Sequence, residues 1–232
     1  MENKRSILYI VLTAFCFGTM EVASKVGGAS FDSIQLVFLR FIIGGIILLP
    51  FAIHDLKKKQ YRLSGSDMIY LLALGVVCVC ISMALFQIGV KRINANLASV
   101  IISMNPLFTM IFAKFIVGEP FTKKKALVLA ISFFGLIIVL NPMTLVGDSS
   151  DVTGILITII AAVAFGLYTA MGKKRIGRLG GMVENAVSFL LGSAVLLVFM
   201  VITGTPVLKG VNMDTLPVLL YLGICVTGIG YY

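Results

Sequence analysis

FLRFIIGGIILLP, residues Phe38–Pro50, is an almost wholly apolar run broken by a single charge, Arg40, and the chain returns to its pattern once. At an offset of 148 residues, Phe41 falls on Phe189, Gly44 on Gly192 and Leu48-Leu49 on Leu196-Leu197. The same register holds on either side. Phe17-Gly18 falls on Phe165-Gly166, Lys25 on Lys173, and Leu71, Leu72, Leu74 and Gly75 on Leu219, Leu220, Leu222 and Gly223. Residues 7–84 and 155–232 thus align without a gap, with 16 identities in 78 positions. A composition this biased gives roughly a tenth by chance. The constant register through three successive apolar runs marks one structural unit used twice.

A bilayer core is crossed by about 20 apolar helical residues. Eight stretches fit or nearly fit: 7–26, 34–53, 69–90, 96–117, 124–141, 153–172, 183–203 and 216–232. Short connections separate them, with Gly27-Gly28, Pro142, Gly147-Asp148 and Thr205-Pro206 at expected breaks. Five spans fill one period. An odd number forces the second copy to insert in the opposite sense. Residues 1–145 then form a first repeat of five spans, and 146–232 a second repeat holding three. Residues 85–141 would map onto about 233–289, so a ten-helix chain near 290–300 residues is expected by the same offset.

The 232 residues are 59% hydrophobic and 12% charged, with a mean hydropathy of +1.07. A soluble domain carries about 25% charge. The net charge of +9 comes in short clusters between apolar runs, such as Lys57-Lys58-Lys59 and Lys123-Lys124-Lys125, rather than spread over a surface. Soluble enzymes, nucleic-acid binders and disordered chains are excluded. With the N-terminus in the cytoplasm, 13 of the 19 Lys and Arg lie in inside loops, from Lys4 and Arg5 to Arg175 and Arg178. The outside loops hold Lys91, Arg92 and Lys209, and Lys25, Arg40 and Lys114 fall within spans. That asymmetry predicts a multi-pass protein of the plasma (inner) membrane with a cytoplasmic N-terminus. Charge also inverts between the copies: the loop after the second span is basic, whereas its equivalent holds only Lys209. Cys16, Cys78, Cys80 and Cys225 lie in apolar runs and read as small core hydrophobes, and the single histidine, His54, leaves no metal cluster. No cofactor is expected.

Three stretches resemble the EamA-like transporters of the drug/metabolite transporter superfamily: AFCFGTMEVASKVG (Ala14–Gly27), FLRFIIGGIILLP (Phe38–Pro50), and the run from Asn94 to Leu140 with its mid-helix Pro106 and Gly118-Glu119 exit. The resemblance implies an all-α polytopic bundle of two inverted five-helix repeats. It also implies a central cavity walled by the first, third and fourth helices of each repeat, through which a small metabolite passes. Glu21 departs from the pattern, since many relatives are apolar there.

A charge at mid-helix costs roughly 2.5–3.5 kcal/mol on insertion scales and invites a partner or a function. Glu21 and Arg40 lie at matching depths of roughly 8 and 9 Å on consecutive spans. They are expected to pair, with Lys25 competing. One reading makes the pair a staple between helices; the other makes Glu21 a protonatable or cation-binding group on the cavity. The repeat sets Thr169 opposite Glu21 and Ser188 opposite Arg40, so the charge occurs in one half only. Pro106, beside Asn105, predicts a kink in the fourth span. Asn96, Ser99 and Ser103 form a polar stripe before it, open to interhelical bonding or substrate contact. Gln87, Tyr168, Thr227 and Tyr231 are the other polar candidates, although Tyr231 and Tyr232 also fit an interfacial anchor. Glu21, Arg40, Gln87, Ser99, Ser103, Asn105, Tyr168, Thr169 and Tyr231 make up the candidate substrate or coupling set.

The expected activity is secondary transport of an amino acid or related metabolite by alternating access, with export the commoner direction in the resembling family. The partners are the small-molecule substrate and the bilayer. Protons are the coupling ion that Glu21 would suit, and a homodimer is an allowed assembly. An integral-membrane enzyme finds no support, since the chain holds no paired carboxylates at fixed spacing, no His-based site and no nucleophile elbow. A non-transporting assembly protein, or a flippase for lipid-linked solutes with the same fold, stands as the alternative.

Overall fold

A computed structural model describes residues 11–120, 122–140 and 151–231. Lys4, Arg5, the breaks at Pro142 and Gly147-Asp148, and Tyr232 lie outside the described residues. The described chain is all helix and connection. Residues 11–18 are helical and run through Thr19 into α1 (Met20–Ser30), because the Thr19 amide still reaches Phe15 O and the Ala23 amide reaches Thr19 O. After it come α2 (Ser33–Lys58), α3 (Gly65–Arg92), α4 (Ala95–Ile116), α5 (Lys123–Leu140), α6 (Val152–Leu179), α7 (Gly181–Thr203) and α8 (Leu216–Tyr231). Eight helical segments therefore stand where eight spans are expected. Five of them, α2, α3, α4, α6 and α7, are long and apolar enough to cross a membrane.

Local chemistry sets their ends. Asp32 and Gln35 form a reciprocal capping box at the start of α2, Ser64 and Asp67 another at α3, and Asp151 accepts the Thr153 amide at α6. One residue, Gly180, turns α6 into α7. Its φ of 89° is a conformation that a side chain would strain. In α4 the helical ladder breaks at Ser103-Met104, and Pro106 sits in the first turn of the second half. Pro has no amide to donate, and that position asks for none. The expected kink is thus present, placed just before the proline.

α2 packs broadly against α7. Gln35 at the start of α2 donates to the carbonyls of Val207 and Lys209 beyond the end of α7. At its other end Lys59 donates to Leu179 O just before α7 begins. The two helices are therefore antiparallel. Phe41 and Phe189, 148 residues apart, meet at their crossing as a T-shaped ring pair with centroids 4.8 Å apart. Such a pair adds about 0.5–1.5 kcal/mol beyond its burial.

Two glycine contacts flank this crossing. A side chain at Gly44 would meet Thr227 Cγ2 at 2.5 Å, and one at Gly192 would meet Val79 Cβ at 2.9 Å. Gly44 and Gly192 are equivalent under the offset, and so are Val79 and Thr227. The α2–α8 and α7–α3 contacts are the same contact made twice. Both third helices also widen into π-helical turns at overlapping positions, Val76–Met83 in α3 and Tyr221–Gly228 in α8. Around this centre α6 packs on α3 and α4, while α5 lies against α4.

The two ends of the bundle differ in charge. At one, Arg175 and Arg178 both donate to Asp67, whose other oxygen accepts from Tyr61 and Ser64. Glu119 sits at the same end and pairs with Lys125 and Lys173. At the opposite end Lys25 reaches the carbonyls of Val90 and Ile93, Lys91 reaches Phe31 O, and Arg92 pairs with Asp151 at 2.9 Å. The lysines there satisfy carbonyls that the last turns of α1 and α3 leave without a helical donor. Between the ends lie exposed apolar side chains such as Ile69, Phe115, Val201 and Ile202. In water such a belt would be a liability; in hydrocarbon it is the expected surface.

Gly75 lies against Ser188 O and Gly192, so Gly75→Ala and Gly192→Ala are expected to lower stability by about 1–3 kcal/mol through overpacking. Gly18 has open space around it, and Gly18→Ala should be neutral or slightly stabilising. Thermal unfolding in nanodiscs checks all three.

Candidate functional site

Six helices converge on a cavity of about 520 Å³. α1 and its lead-in supply Phe17, Met20 and Glu21, α3 supplies Met83, α4 Ile102 and Asn105, and α8 Gly230 and Tyr231. From α6 come Phe165, Tyr168, Thr169, Gly172, Lys173 and Ile176, and from α7 Glu184 and Asn185. The cavity runs from Met83 and Phe17 at the centre of the bundle toward Lys173 and Ile176 near its basic end. Ile176 there is 48% exposed.

Most of the inner lining comes in pairs 148 residues apart: Phe17 with Phe165, Met20 with Tyr168, Glu21 with Thr169, and Met83 with Tyr231. The cavity therefore lies across the axis that relates Phe41 to Phe189. The aromatic rings are fixed rather than loose. Tyr231 stacks edge-on against Phe17 at 5.2 Å and against Phe189 at 5.0 Å. Tyr168 donates to Asn185 Oδ1 at 2.8 Å, and Asn185 Nδ2 donates to Tyr231 O at 2.9 Å. One asparagine thus ties the Tyr168 hydroxyl to the backbone of α8 at Tyr231.

Of the residues anticipated from sequence, Glu21, Asn105, Tyr168, Thr169 and Tyr231 line this cavity. Asn105 Oδ1 accepts from Thr109, and Thr169 bonds back to Phe165 O on its own helix. The other four stand elsewhere. Gln87 is fully buried and donates to Ser24 O, tying α3 to α1. Ser99 and Ser103 donate to carbonyls of their own helix, Asn96 O and Ser99 O, and their hydroxyls are used up locally.

The expected Glu21–Arg40 pair does not form among the described residues, and this expectation is corrected. Arg40 reaches past α1 to α8. Its Nε donates to Thr227 Oγ1 at 3.2 Å and its Nη2 to Met20 Sδ at 3.4 Å, while the guanidinium lies 5.0 Å from the centre of the Phe41 ring. Matching depth is not sufficient, because one residue on a helix is a turn of about 100°. Met20 meets both the arginine and the cavity; Glu21, the next residue, lines the cavity without reaching the guanidinium. Lys25 does not compete either, since its amine is held by two carbonyls.

Sequence reasoning missed Glu184 and Asn185. With the seventh span begun at residue 183, both would sit at the membrane edge. The one-residue turn at Gly180 starts α7 at Gly181 and folds its first turn inward, leaving Glu184 5% exposed. The small residue facing it, Gly172, was the available signal. A side chain there would run into Glu184 Oε1.

The sequence model of the EamA-like transporter family matches residues 4–141 and 152–232. An uncharacterized transporter of Clostridium kluyveri is 38% identical over 233 residues, covering 98% of this chain and 75% of the relative. An S-adenosylmethionine uptake transporter of Rickettsia prowazekii is 27% identical over 189 residues, covering 82% of this chain and 60% of the relative. A crystal structure superimposes with a TM-score of 0.66 at 18% identity, covering 97% of this chain and 76% of the other, which shows a shared fold.

At the mouth, Lys173 and then Lys125 hold the Glu119 carboxyl below the usual carboxylate range. A depressed carboxylate contributes stability that is complete above its unfolded pKa, about 4.3, and is lost as pH falls through the lower folded value. Thermal unfolding scanned from pH 7 to pH 3 should therefore show a falling melting temperature below about pH 4. Glu119→Gln should remove part of that slope and lower the neutral-pH plateau.

Proposed function

The chain belongs to the EamA-like transporter family, and on that premise we propose that it carries a small organic metabolite, an amino acid or related compound, across the plasma membrane by alternating access. The cavity between α1, α3, α4, α6, α7 and α8 is the solute site. Residues 1–145 and 146–232 are the two inverted units that move against each other around it, with the N-terminus and the basic end in the cytoplasm.

The carrying observation is that equivalent positions of the two units line one cavity, while the equivalent helices α2 and α7 cross antiparallel through Phe41 and Phe189. A site shared by oppositely oriented units can be opened to either side by the same rocking motion, since exchanging the units' conformations exchanges the open side. Charge supports the orientation. Lys59, Lys125, Lys173, Arg175 and Arg178 gather at the end toward which the cavity opens, as the excess of basic residues in cytoplasmic loops predicts. The opposite end is closed by side chains hooked onto backbone carbonyls, from Lys25, Lys91 and Gln35. The arrangement is then the inward-open state of an exporter waiting for cytoplasmic solute. The Rickettsia relative is named for S-adenosylmethionine, itself an amino-acid derivative, which falls in the same substrate class.

Proteoliposomes test this. Counterflow of labelled amino acids, amines and S-adenosylmethionine, with and without an imposed pH gradient, should reveal saturable exchange for at least one of them. Tyr168→Ala is expected to reduce it about tenfold or more, because it removes a cavity wall and the Asn185 anchor together. Flux no faster than in protein-free vesicles, from protein that is folded and monodisperse, would overturn the reading.

A further inference from the structure

We infer that Glu184 and Glu21 together receive a positively charged group, so that the preferred solute is an organic ammonium or sulfonium carrying net positive charge. This rests on the cavity being the solute site.

Glu184 is 5% exposed and belongs to the cavity wall. Its Oε1 lies over the backbone of Gly172, where any side chain would displace it, and its Oε2 has no hydrogen-bond partner. A buried carboxylate with one oxygen unsatisfied is costly unless something brings it charge or protons. Glu21, also 5% exposed, faces the same cavity from α1.

Among the described residues no nearby cation forms an ion pair with either carboxylate, although the buried Arg40 charge acts on Glu21 through space. Lys173, which borders the cavity, turns its Nζ to Glu119 Oε1 at 3.1 Å. Arg40 is held by Thr227 and Met20, and Lys25 by Val90 O and Ile93 O. Arg175 and Arg178 both serve Asp67, and Lys59 serves Leu179 O. Two acidic groups thus face about 520 Å³ of space without an ion-pair partner among the described residues.

The remaining lining suits a cation as well. Phe17, Phe165, Tyr168 and Tyr231 line the same volume. Ring faces attract ammonium and sulfonium groups, most strongly where water is scarce. A carboxylate would meet Lys173 only in competition with Glu119, and otherwise neutral donors such as Asn105 Nδ2. Asn185, the best-placed amide, already spends both of its groups on Tyr168 and Tyr231. An amine or a cationic amino-acid derivative is therefore favoured over an anion and over a plain zwitterion.

The chain in nanodiscs, titrated with labelled phenethylammonium, phenylalanine and 3-phenylpropionate, decides it. These probes share a ring and differ in charge. The ammonium is expected to bind saturably and at least about tenfold more tightly than phenylalanine, with no binding of the propionate. Glu184→Gln and Glu21→Gln should each weaken ammonium binding by about tenfold or more, with Glu184→Asp recovering part of it. Gly172→Ala, which leaves both carboxylates in place but pushes on Glu184 Oε1, should weaken it as well. Equal binding of the propionate, wild-type affinity in Glu184→Gln, or saturation by sodium or protons alone with no ammonium bound would overturn the inference. Saturable flux of neutral or anionic solutes that ignores Glu184 would sink it while leaving the carrier intact. Charge-selective binding without any flux would sink the carrier and keep the site.

Discussion

Where α2 crosses α7, two phenylalanines stack edge to face between glycines, and the rest of the bundle hangs from that contact. Phe41 and Phe189 can meet because Gly44 and Gly192 let the neighbouring third helices approach at backbone distance. In lipid there is no hydrophobic drive to press helices together, since acyl chains are as apolar as leucine. Close packing of small residues then has to supply the attraction, and it does so here in duplicate. The π-helical turns of α3 and α8 lie beside the same crossing, and Gly75, Gly192 and Gly223 let backbone or side chains of the facing helix come within touching range.

Polar groups in the bundle fall into two economies. Most are spent locally or on backbone: Ser99, Ser103, Thr158, Thr169 and Thr203 on carbonyls one turn back, Gln87 and Lys25 on carbonyls of a neighbouring helix. These groups seal the bundle at depths where an unsatisfied donor would be expensive. Asp67, with two arginines, a tyrosine and a serine around it, extends the same logic to the basic end, where it ties α3 to α6. Glu21 and Glu184 stand apart. They are the carboxylates inside the bundle that form no ion pair among the described residues, and both face the space that the fold keeps open.

The asymmetry of the cavity sits on a symmetric frame. Phe17 and Phe165 are the same residue in both halves, whereas Met20 and Met83 are answered by Tyr168 and Tyr231, and Glu21 by Thr169. Each half supplies one carboxylate, Glu21 or Glu184, but the first adds methionines and the second tyrosines bonded through Asn185. The frame repeats, and the lining does not.

Composition and hydropathy by themselves determined that the chain lies in a membrane, and the offset of 148 residues determined which positions correspond. Both are one-dimensional properties: a bilayer counts apolar residues, and a duplicated unit keeps its register. Five cavity residues were legible for the same reason, since a polar or charged group within an apolar run is conspicuous in one dimension. What only the tertiary structure decided is where side chains point. Glu21 and Arg40 match in depth, yet it is Met20, one helical step before Glu21, whose side chain meets the arginine. Glu184 was invisible because a glycine at positive φ, not its own surroundings in sequence, brings the first turn of α7 inside. Facing and entry angle are set by contacts between distant segments, and hydropathy along a chain carries no record of them.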